Sequence, residues 1–247
     1  VGEPREFLQA GIELIGVPGA EGEADVLARA AERGVPYLTA SHEAFLDTSV
    51  SVVLAGIGGN HSNQLLPLLD YDLVRSNPKV FQGYSDIPVL HWAFAKHAGL
   101  STFYGPALMP ELGEFPEVLP YTDRYLRAAA AVENAQPIEF EPAAEWTDEW
   151  LDWDTKLDLT RPRELRASEG WITVREGRAT GPLLGGCLET ICWHLKGSAC
   201  WFDPTGAILL LETSEEAPSP AVTLPSLRTL TVKIPLWTSI PRYSCCR

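Results

Sequence analysis

The sequence Gly-Tyr-Ser-Asp at 83–86 places Ser85 where an apolar, strand-like run changes into a helix-like one. A turn residue in that position lies at the carboxyl edge of a parallel sheet, where open α/β sheets bind ligands. A serine hydroxyl held there can attack a carbonyl carbon when a base and oxyanion donors lie nearby. Ser85 is therefore the first candidate for a catalytic residue.

Two groups are candidates for the oxyanion donors. The backbone N–H of Asp86 lies at the start of the predicted helix, which favours a developing negative charge. Gly58 and Gly59 end the neighbouring apolar strand, so their backbone can approach the same crevice closely. These spacings predict a site of backbone donors around the serine.

A helix start without chemistry also fits these residues. Serine and aspartate are favoured helix caps, and Pro88 suits a first helical turn. The motif is not Gly-x-Ser-x-Gly either, because Ile87 stands where the second glycine would be. The spacing alone leaves both interpretations open.

The elements around these motifs alternate between strands and helices. We predict strands within 49–60, 79–84 and 101–106, and helices over 23–34, 62–74 and 87–99. We expect Asn60 or Ser62 to cap the second helix and Gly99 to end the third. This alternation indicates a parallel α/β sheet of flavodoxin-like type.

The composition and the predicted secondary structure change along the chain. We predict an N-terminal α/β domain over 1–128, an acidic connection with one helical segment over 129–165, a smaller, partial C-terminal domain of mixed β/α type over 166–222, and an atypical tail over 223–247. Strands of the smaller domain are expected within 170–186 and 206–216. All 33 acidic residues lie at or before Glu216, so the tail has none.

Composition excludes several classes of function. The net charge of -14 disfavours nucleic acid and anionic membranes as partners, since both need a basic footprint. No apolar stretch approaches the ~20 residues of a membrane span, and the first residues do not resemble a signal peptide. The five cysteines include no Cys-x-x-Cys pair, so we expect reduced thiols, no metal and no cofactor. The predicted protein is soluble and cytoplasmic.

Two blocks of sequence resemble the LD-carboxypeptidase family, and its microcin C immunity branch in particular. The block 58–106 contains in order a Gly-Gly turn, Leu-Leu-Pro, Leu-Asp-Tyr-Asp, Asn-Pro-Lys, Gly-Tyr-Ser-Asp and Gly-Pro. The block 170–216 resembles the family's Gly-Gly segment and its strand ending in a catalytic glutamate, here Glu212. Together the two blocks cover about half of the chain.

The resemblance implies a metal-free serine peptidase with a Ser-His-Glu triad, often a homodimer. Ser85 would be the nucleophile, Glu212 would orient the histidine, and Asp86 with Gly58 and Gly59 would form the oxyanion hole. Ser85 would attack an amide, and water would hydrolyse the acyl-enzyme. The implied substrate is a peptide or an aminoacyl-nucleotide-like small molecule, such as a muropeptide with a D-residue.

The triad histidine is the departure from the family pattern. The family carries it in a Gly-His motif well beyond the glutamate, whereas no histidine follows Glu212 here. We therefore expect a sequence truncated or misassembled at both ends, with impaired catalysis. The alternatives are an inactive remnant or binding module of the same fold, and an unrelated hydrolase using His61 or His194 as base. Among the histidines, His61 is predicted to be the only one near the crevice.

Three tryptophans in the acidic connection share a spacing. Trp146, Trp150 and Trp153 fall at i, i+4 and i+7, which predicts one face of a helix. Such a face can simply pack on the body of the protein. By resemblance to the microcin C branch, Trp150 or Trp153 would instead stack on the nucleotide of a substrate.

Overall fold

The computed structural model describes residues 43–130 and 137–214, and the first of these ranges contains a parallel sheet. Its strands are β1 (Val52–Leu54), β2 (Val80–Gly83) and β3 (Phe103–Tyr104), in the order β1-β2-β3. Both pairings are parallel, so the predicted α/β sheet is confirmed. The helix predicted over 23–34 lies outside the described residues.

Helices follow each of these strands. They are a 3₁₀ helix (Ser62–Leu68), α1 (Tyr71–Ser76), α2 (Pro88–Ala93) with a π-helical continuation (Phe94–Ala98), a π-helical segment (Leu108–Leu112) and α3 (Pro120–Ala130). Gly99 ends the α2 unit with φ at 68°, as its sequence position predicts. Glycine adopts this left-handed conformation without a Cβ clash.

The helix predicted over 62–74 is instead two helices. Pro67 lies inside the 3₁₀ helix, and Asp70 starts α1 by accepting a hydrogen bond from the Leu73 N–H at 2.9 Å. The predicted caps, Asn60 or Ser62, are also wrong. The N-terminal flanking residue of the 3₁₀ helix is His61, and the His61 side chain makes no capping hydrogen bond.

At Trp146 the acidic connection forms a strand rather than the helix that the tryptophan spacing predicts. β4 (Glu145–Trp146) pairs antiparallel with β5 (Arg166–Ala167), and a short 3₁₀ helix (Leu157–Leu159) lies between them. The tryptophans therefore do not share a helical face. The Arg166 guanidinium lies 5.9 Å from the Trp146 ring centroid, across the strand pair.

The last described region is a parallel β-α-β unit. β6 (Leu183–Cys187) runs into α4 (Leu188–Thr190), a π-helical continuation (Ile191–Leu195) and then β7 (Ile208–Glu212). The register pairs Cys187 with Glu212, so both strands end at the same edge. This confirms a smaller C-terminal β/α part, in which β7 lies inside its predicted segment and β6 extends one residue beyond the end of 170–186.

One hydrophobic core joins the two parts. Phe81 of β2 and Phe94 after α2 are buried in the same cluster as Leu188 and Ile191. Burying such a side chain stabilises a fold by roughly 1.5–3 kcal/mol. Trp92 of α2 adds a polar tie between the parts, because its indole N–H donates to the Gly185 carbonyl at 3.0 Å.

Two further properties concern the described residues alone. Their helices are all too short or too polar to cross a membrane. Cys187 and Cys200 are free thiols, and no cluster of three potential metal ligands forms in these ranges.

Candidate active site

The turn between β2 and α2 holds Ser85 in an unusual backbone conformation. Its φ is 63°, and Lys156 is the only other described non-glycine residue with a positive φ. A non-glycine residue in this region is strained by about 1–3 kcal/mol and persists only where its surroundings hold it. The N-terminal flanking residue of α2 is Ile87 rather than Ser85, so Ser85 does not cap α2.

Gly83 makes this sharp turn possible. A Cβ at Gly83 would lie 2.6 Å from the Ala55 Cβ and 3.0 Å from Ile87 Cγ1, closer than real contacts allow. A side chain at this position would push β2 away from β1 or unwind the start of α2. The small residue before Ser85 is therefore a packing requirement of the turn.

Gly58 lies directly against the serine side chain. A Cβ built on Gly58 would come within 2.6 Å of the Ser85 Cβ, 2.7 Å of its Oγ and 3.7 Å of the Asp86 backbone nitrogen. The backbone of Gly58, the serine hydroxyl and the Asp86 N–H thus converge on one small volume. Gly59 follows at an exposed position. Backbone donors converging beside a nucleophile are the arrangement that stabilises an oxyanion.

The Asp86 side chain has a role that the sequence did not reveal. It is 2% exposed, and its Oδ2 accepts hydrogen bonds from the backbone N–H groups of His61 at 2.8 Å and Ser62 at 2.7 Å. A buried carboxylate needs such donors to offset its lost hydration. Asp86 therefore fixes the loop that carries Gly58 to the serine turn.

Tyr104 connects Ser85 with Glu212. The Ser85 backbone N–H donates to the Tyr104 hydroxyl at 3.2 Å, and that hydroxyl contacts Glu212 Oε1. The pKa of Tyr104 is raised, first because burial disfavours the phenolate and then because of the negative charge on Glu212. The sequence predicted the strand that contains Tyr104, but no sequence pattern indicated Tyr104 as a residue of the site.

The C-terminal part supplies two contacts to the turn. Thr190 Oγ1 donates to the Ser85 carbonyl oxygen at 3.0 Å, and Glu212 lies at the exposed end of β7 against Tyr104. Gly58, Ser85 and Asp86 follow strands of the three-stranded sheet, whereas Glu212 ends a strand of a separate two-stranded sheet and reaches them through Tyr104.

Two histidines of the described ranges, His91 and His194, contact residues other than Ser85. His91 is buried, its Nε2 lies 3.0 Å from the Gly83 carbonyl oxygen, and burial lowers its pKa to about 4. The neutral ring therefore donates to that carbonyl. His194 Nε2 lies 3.0 Å from Asn60 Oδ1. The expectation that only His61 lies near the crevice is wrong, because His194 reaches the same loop.

Trp150 and Trp153 form an aromatic pair at a separate pocket. Their ring centroids are 4.6 Å apart, and Trp150 is 68% exposed. Both rings line a pocket together with residues 109–110 and 113–115 and with Arg163, whose guanidinium pairs with Glu114. The pocket volume is about 50 Å³, and the ring of Trp150 is exposed beside it.

Glu111 connects this pocket with the serine turn. Its carboxylate accepts hydrogen bonds from the Tyr84 hydroxyl at 2.9 Å and from the Ala107 N–H at 2.9 Å. Burial raises the pKa of Glu111, and these two donors oppose the shift. The segment 108–112, which borders the aromatic pocket, is thereby anchored to the residue preceding Ser85.

Comparison with known proteins defines the family. The model of the LD-carboxypeptidase N-terminal domain matches residues 7–105, and that of the LD-carboxypeptidase C-terminal domain matches residues 180–231. Together they span both the serine turn and the β-α-β unit with Glu212. The chain belongs to the LD-carboxypeptidase family.

Individual relatives agree with this assignment. The microcin C7 self-immunity protein MccF of Escherichia coli is 32% identical over 178 residues, which are 71% of this chain and 51% of that protein. A Bacillus subtilis protein named "Probable murein peptide carboxypeptidase" is 32% identical over 177 residues, 72% of this chain and 46% of that protein. The chain spans about half the length of these curated relatives.

Solved structures support the same fold. An MccF-like protein from Bacillus anthracis superposes with a TM-score of 0.67 at 34% identity, covering 78% of this chain and 55% of that one. MccF itself, in complex with aspartyl sulfamoyl adenosine, gives a TM-score of 0.56 at 30% identity over 70% of this chain and 51% of that one.

Proposed function

We propose that the protein is a serine-type carboxypeptidase that hydrolyses an amide of a peptide-like substrate through an acyl-enzyme at Ser85. The observation that carries this proposal is the left-handed backbone of Ser85, with its hydroxyl against Gly58 and near the Asp86 N–H. A turn that only starts a helix has no need of this strain.

Each residue has a defined part in the proposed reaction. The Ser85 Oγ attacks the amide carbon while its proton passes to a base, and the Asp86 N–H and the Gly58-Gly59 backbone stabilise the oxyanion. The C–N bond then breaks, the amine leaves with a proton, and water hydrolyses the ester to release the acid. Glu212 orients the protonated base and stabilises its charge.

This mechanism needs a base that takes the proton of the Ser85 hydroxyl. The Nε2 atoms of His91 and His194 contact the Gly83 carbonyl oxygen and Asn60 Oδ1, respectively, rather than the Ser85 hydroxyl. Removing one member of a triad lowers the rate by on the order of 10⁴ to 10⁶. These contacts support the second candidate, a binding module that keeps the crevice but turns over slowly or not at all.

The relatives indicate the class of substrate. MccF has been solved with aspartyl sulfamoyl adenosine, and another relative is named for murein peptides. For this chain we propose an aminoacyl-nucleotide-like ligand, because Trp150 presents an exposed aromatic ring beside a segment anchored to Tyr84. Stacking of a base on such a ring contributes roughly 1–3 kcal/mol.

A fluorophosphonate probe tests the nucleophile directly. The full chain is incubated with the probe, and the modified residue is located by mass spectrometry. We expect labelling at Ser85 that disappears in Ser85→Ala and persists in Ser101→Ala, a control at an exposed serine before β3. A folded chain that is not labelled contradicts the enzyme proposal.

Calorimetry then separates the two candidate functions. Unlabelled protein that still binds aspartyl sulfamoyl adenosine, and binds it more weakly after Trp150→Ala, is a binding module. Protein that neither labels nor binds supports neither function.

A further inference from the structure

Tyr104 lies beside the serine turn in the sheet. It is the last residue of β3 and pairs in register with Gly83, which is two residues before Ser85. Its ring lies near two other rings, with centroids 6.0 Å from His91 and 6.4 Å from Tyr84. A Cβ on Gly186 would come within 3.2 Å of its Cε2, so β6 also approaches the ring. The position of the phenol is therefore fixed from several sides.

The hydrogen bonds of the hydroxyl have a defined direction. The Ser85 N–H can only donate, so it occupies a lone pair of the Tyr104 oxygen. The single proton of the hydroxyl is then directed to the carboxylate of Glu212, which accepts when ionised. Such a charge-assisted hydrogen bond is stronger than a neutral one.

These contacts join residues that are far apart in the sequence. Ser85 and Tyr104 are separated by 19 positions, and Tyr104 and Glu212 by 108. One hydroxyl thus touches the backbone of the nucleophile in the first part of the chain and the carboxylate at the end of β7 in the second. The raised pKa of Tyr104 is consistent with a negative charge beside a half-buried phenol.

We propose that Tyr104 is a positioning residue that couples Glu212 to the serine turn, so that the carboxylate and the nucleophile keep a fixed separation. This inference rests on the proposed function, in which Glu212 acts on the base that serves Ser85. Tyr104 itself has no bond-making step. It acts through the geometry of the two residues that it connects.

Amide hydrogen exchange of the full chain tests the coupling without requiring activity. Tyr104→Phe keeps the ring and removes the hydroxyl, so we expect the Ser85 amide and the amides of 208–212 to exchange about threefold to fivefold faster. The matched control is Tyr121→Phe, which removes a hydroxyl donating to the Glu141 carbonyl at 2.7 Å on α3. It should leave both segments unchanged. An unchanged 208–212 segment in Tyr104→Phe overturns the proposal.

A second variant covers a folding failure of Tyr104→Phe. Coupling between two sites is reciprocal, so Glu212→Ala at an exposed position should accelerate exchange at Ser85 through Tyr104. Exchange at Ser85 that does not respond to Glu212→Ala contradicts the proposal. Neither exchange measurement depends on turnover. The test of the coupling therefore remains valid even if the enzyme proposal fails.

Labelling rates distinguish positioning from general stabilisation. If Tyr104 acts through Glu212, Tyr104→Phe should slow fluorophosphonate labelling by about tenfold in the wild-type background and have no further effect in Glu212→Gln. Additive losses would mean that the two residues act independently and would overturn the inference. Absence of labelling in the wild type counts against the enzyme proposal, while the exchange data still decide the coupling.

Discussion

The two halves of the candidate site differ in how the fold holds them. The serine turn is embedded in the core, with Asp86 2% exposed and Ile87 fully buried. Glu212 lies at the end of a strand whose outward side chains remain exposed, such as Leu210 at 48%. The serine half is therefore fixed by packing, whereas the carboxylate half is held at a surface edge by contacts such as that with Tyr104.

This difference separates stability from reactivity. Substitutions around the serine turn should affect both, because the residues that shape the site also fill the core. Substitutions at Glu212 should affect reactivity while the fold remains stable. Each of the following experiments measures one side of this contrast.

The largest effect is expected at Gly58. A methyl group there would overlap the Ser85 Oγ, so Gly58→Ala must displace either the loop or the serine. Because an oxyanion donor contributes a factor of roughly 10² to 10³ in rate, we expect labelling of Ser85 to fall by that amount. The control is Gly177→Ala, where a Cβ would meet nothing within 4 Å. Normal labelling of Gly58→Ala would refute the close approach.

The next largest effect is a loss of stability at acidic pH, caused by His91. In the folded protein the pKa of His91 is lowered to about 4, because the ring is buried, from an ordinary value of 6.5. Between these values the unfolded chain binds a proton that the folded chain does not, so stability is full above pH 6.5 and falls as the pH drops towards 4. One proton over this window amounts to about 3 kcal/mol.

Urea unfolding at pH 7 and at pH 4.5 measures this loss. His91→Gln has no titrating ring, so its unfolding free energy should change less between the two pH values than that of the wild type. If the unfolding free energy changes equally in both proteins, burial does not lower the pKa of His91 in the folded state.

A smaller loss is expected from Asp86→Asn. The amide keeps one oxygen for the His61 and Ser62 N–H groups but loses the charge that strengthens both bonds. We expect the unfolding free energy to fall by about 1–3 kcal/mol. A loss of labelling without a loss of stability would mean that the carboxylate acts chemically rather than as an anchor of the loop.

The smallest change in stability is expected from Glu212→Gln. Its carboxylate is at the surface, where a single polar contact contributes less than about 1 kcal/mol. Thermal unfolding should therefore be close to that of the wild type. A large destabilisation would remove the contrast between the two halves of the site.

Local sequence patterns predicted the serine half well. The apolar runs around β1 and β2 and the Gly-Tyr-Ser-Asp motif are contiguous, so their strands, turn and following helix could be located directly. The left-handed backbone of Ser85 could not be read from the sequence. It depends on the approach of Gly58 from another strand-to-loop junction.

Non-local contacts explain what the sequence missed. The spacing of Trp146, Trp150 and Trp153 matched a helix, but Trp146 pairs in β4 with Arg166 of β5, which a local period cannot detect. Tyr104 and the Asp86 side chain were overlooked for the same reason. Their partners lie 19 to 108 residues away in the sequence.

The positive φ of Ser85 also bears on how this sequence can change over time. Glycine adopts the same backbone without strain, so Ser85→Gly would stabilise the turn by about 1 kcal/mol while removing the hydroxyl. Selection for stability alone would therefore favour glycine at this position, and a function of the serine hydroxyl opposes that change. The serine in this chain is a residue that folding alone would not select.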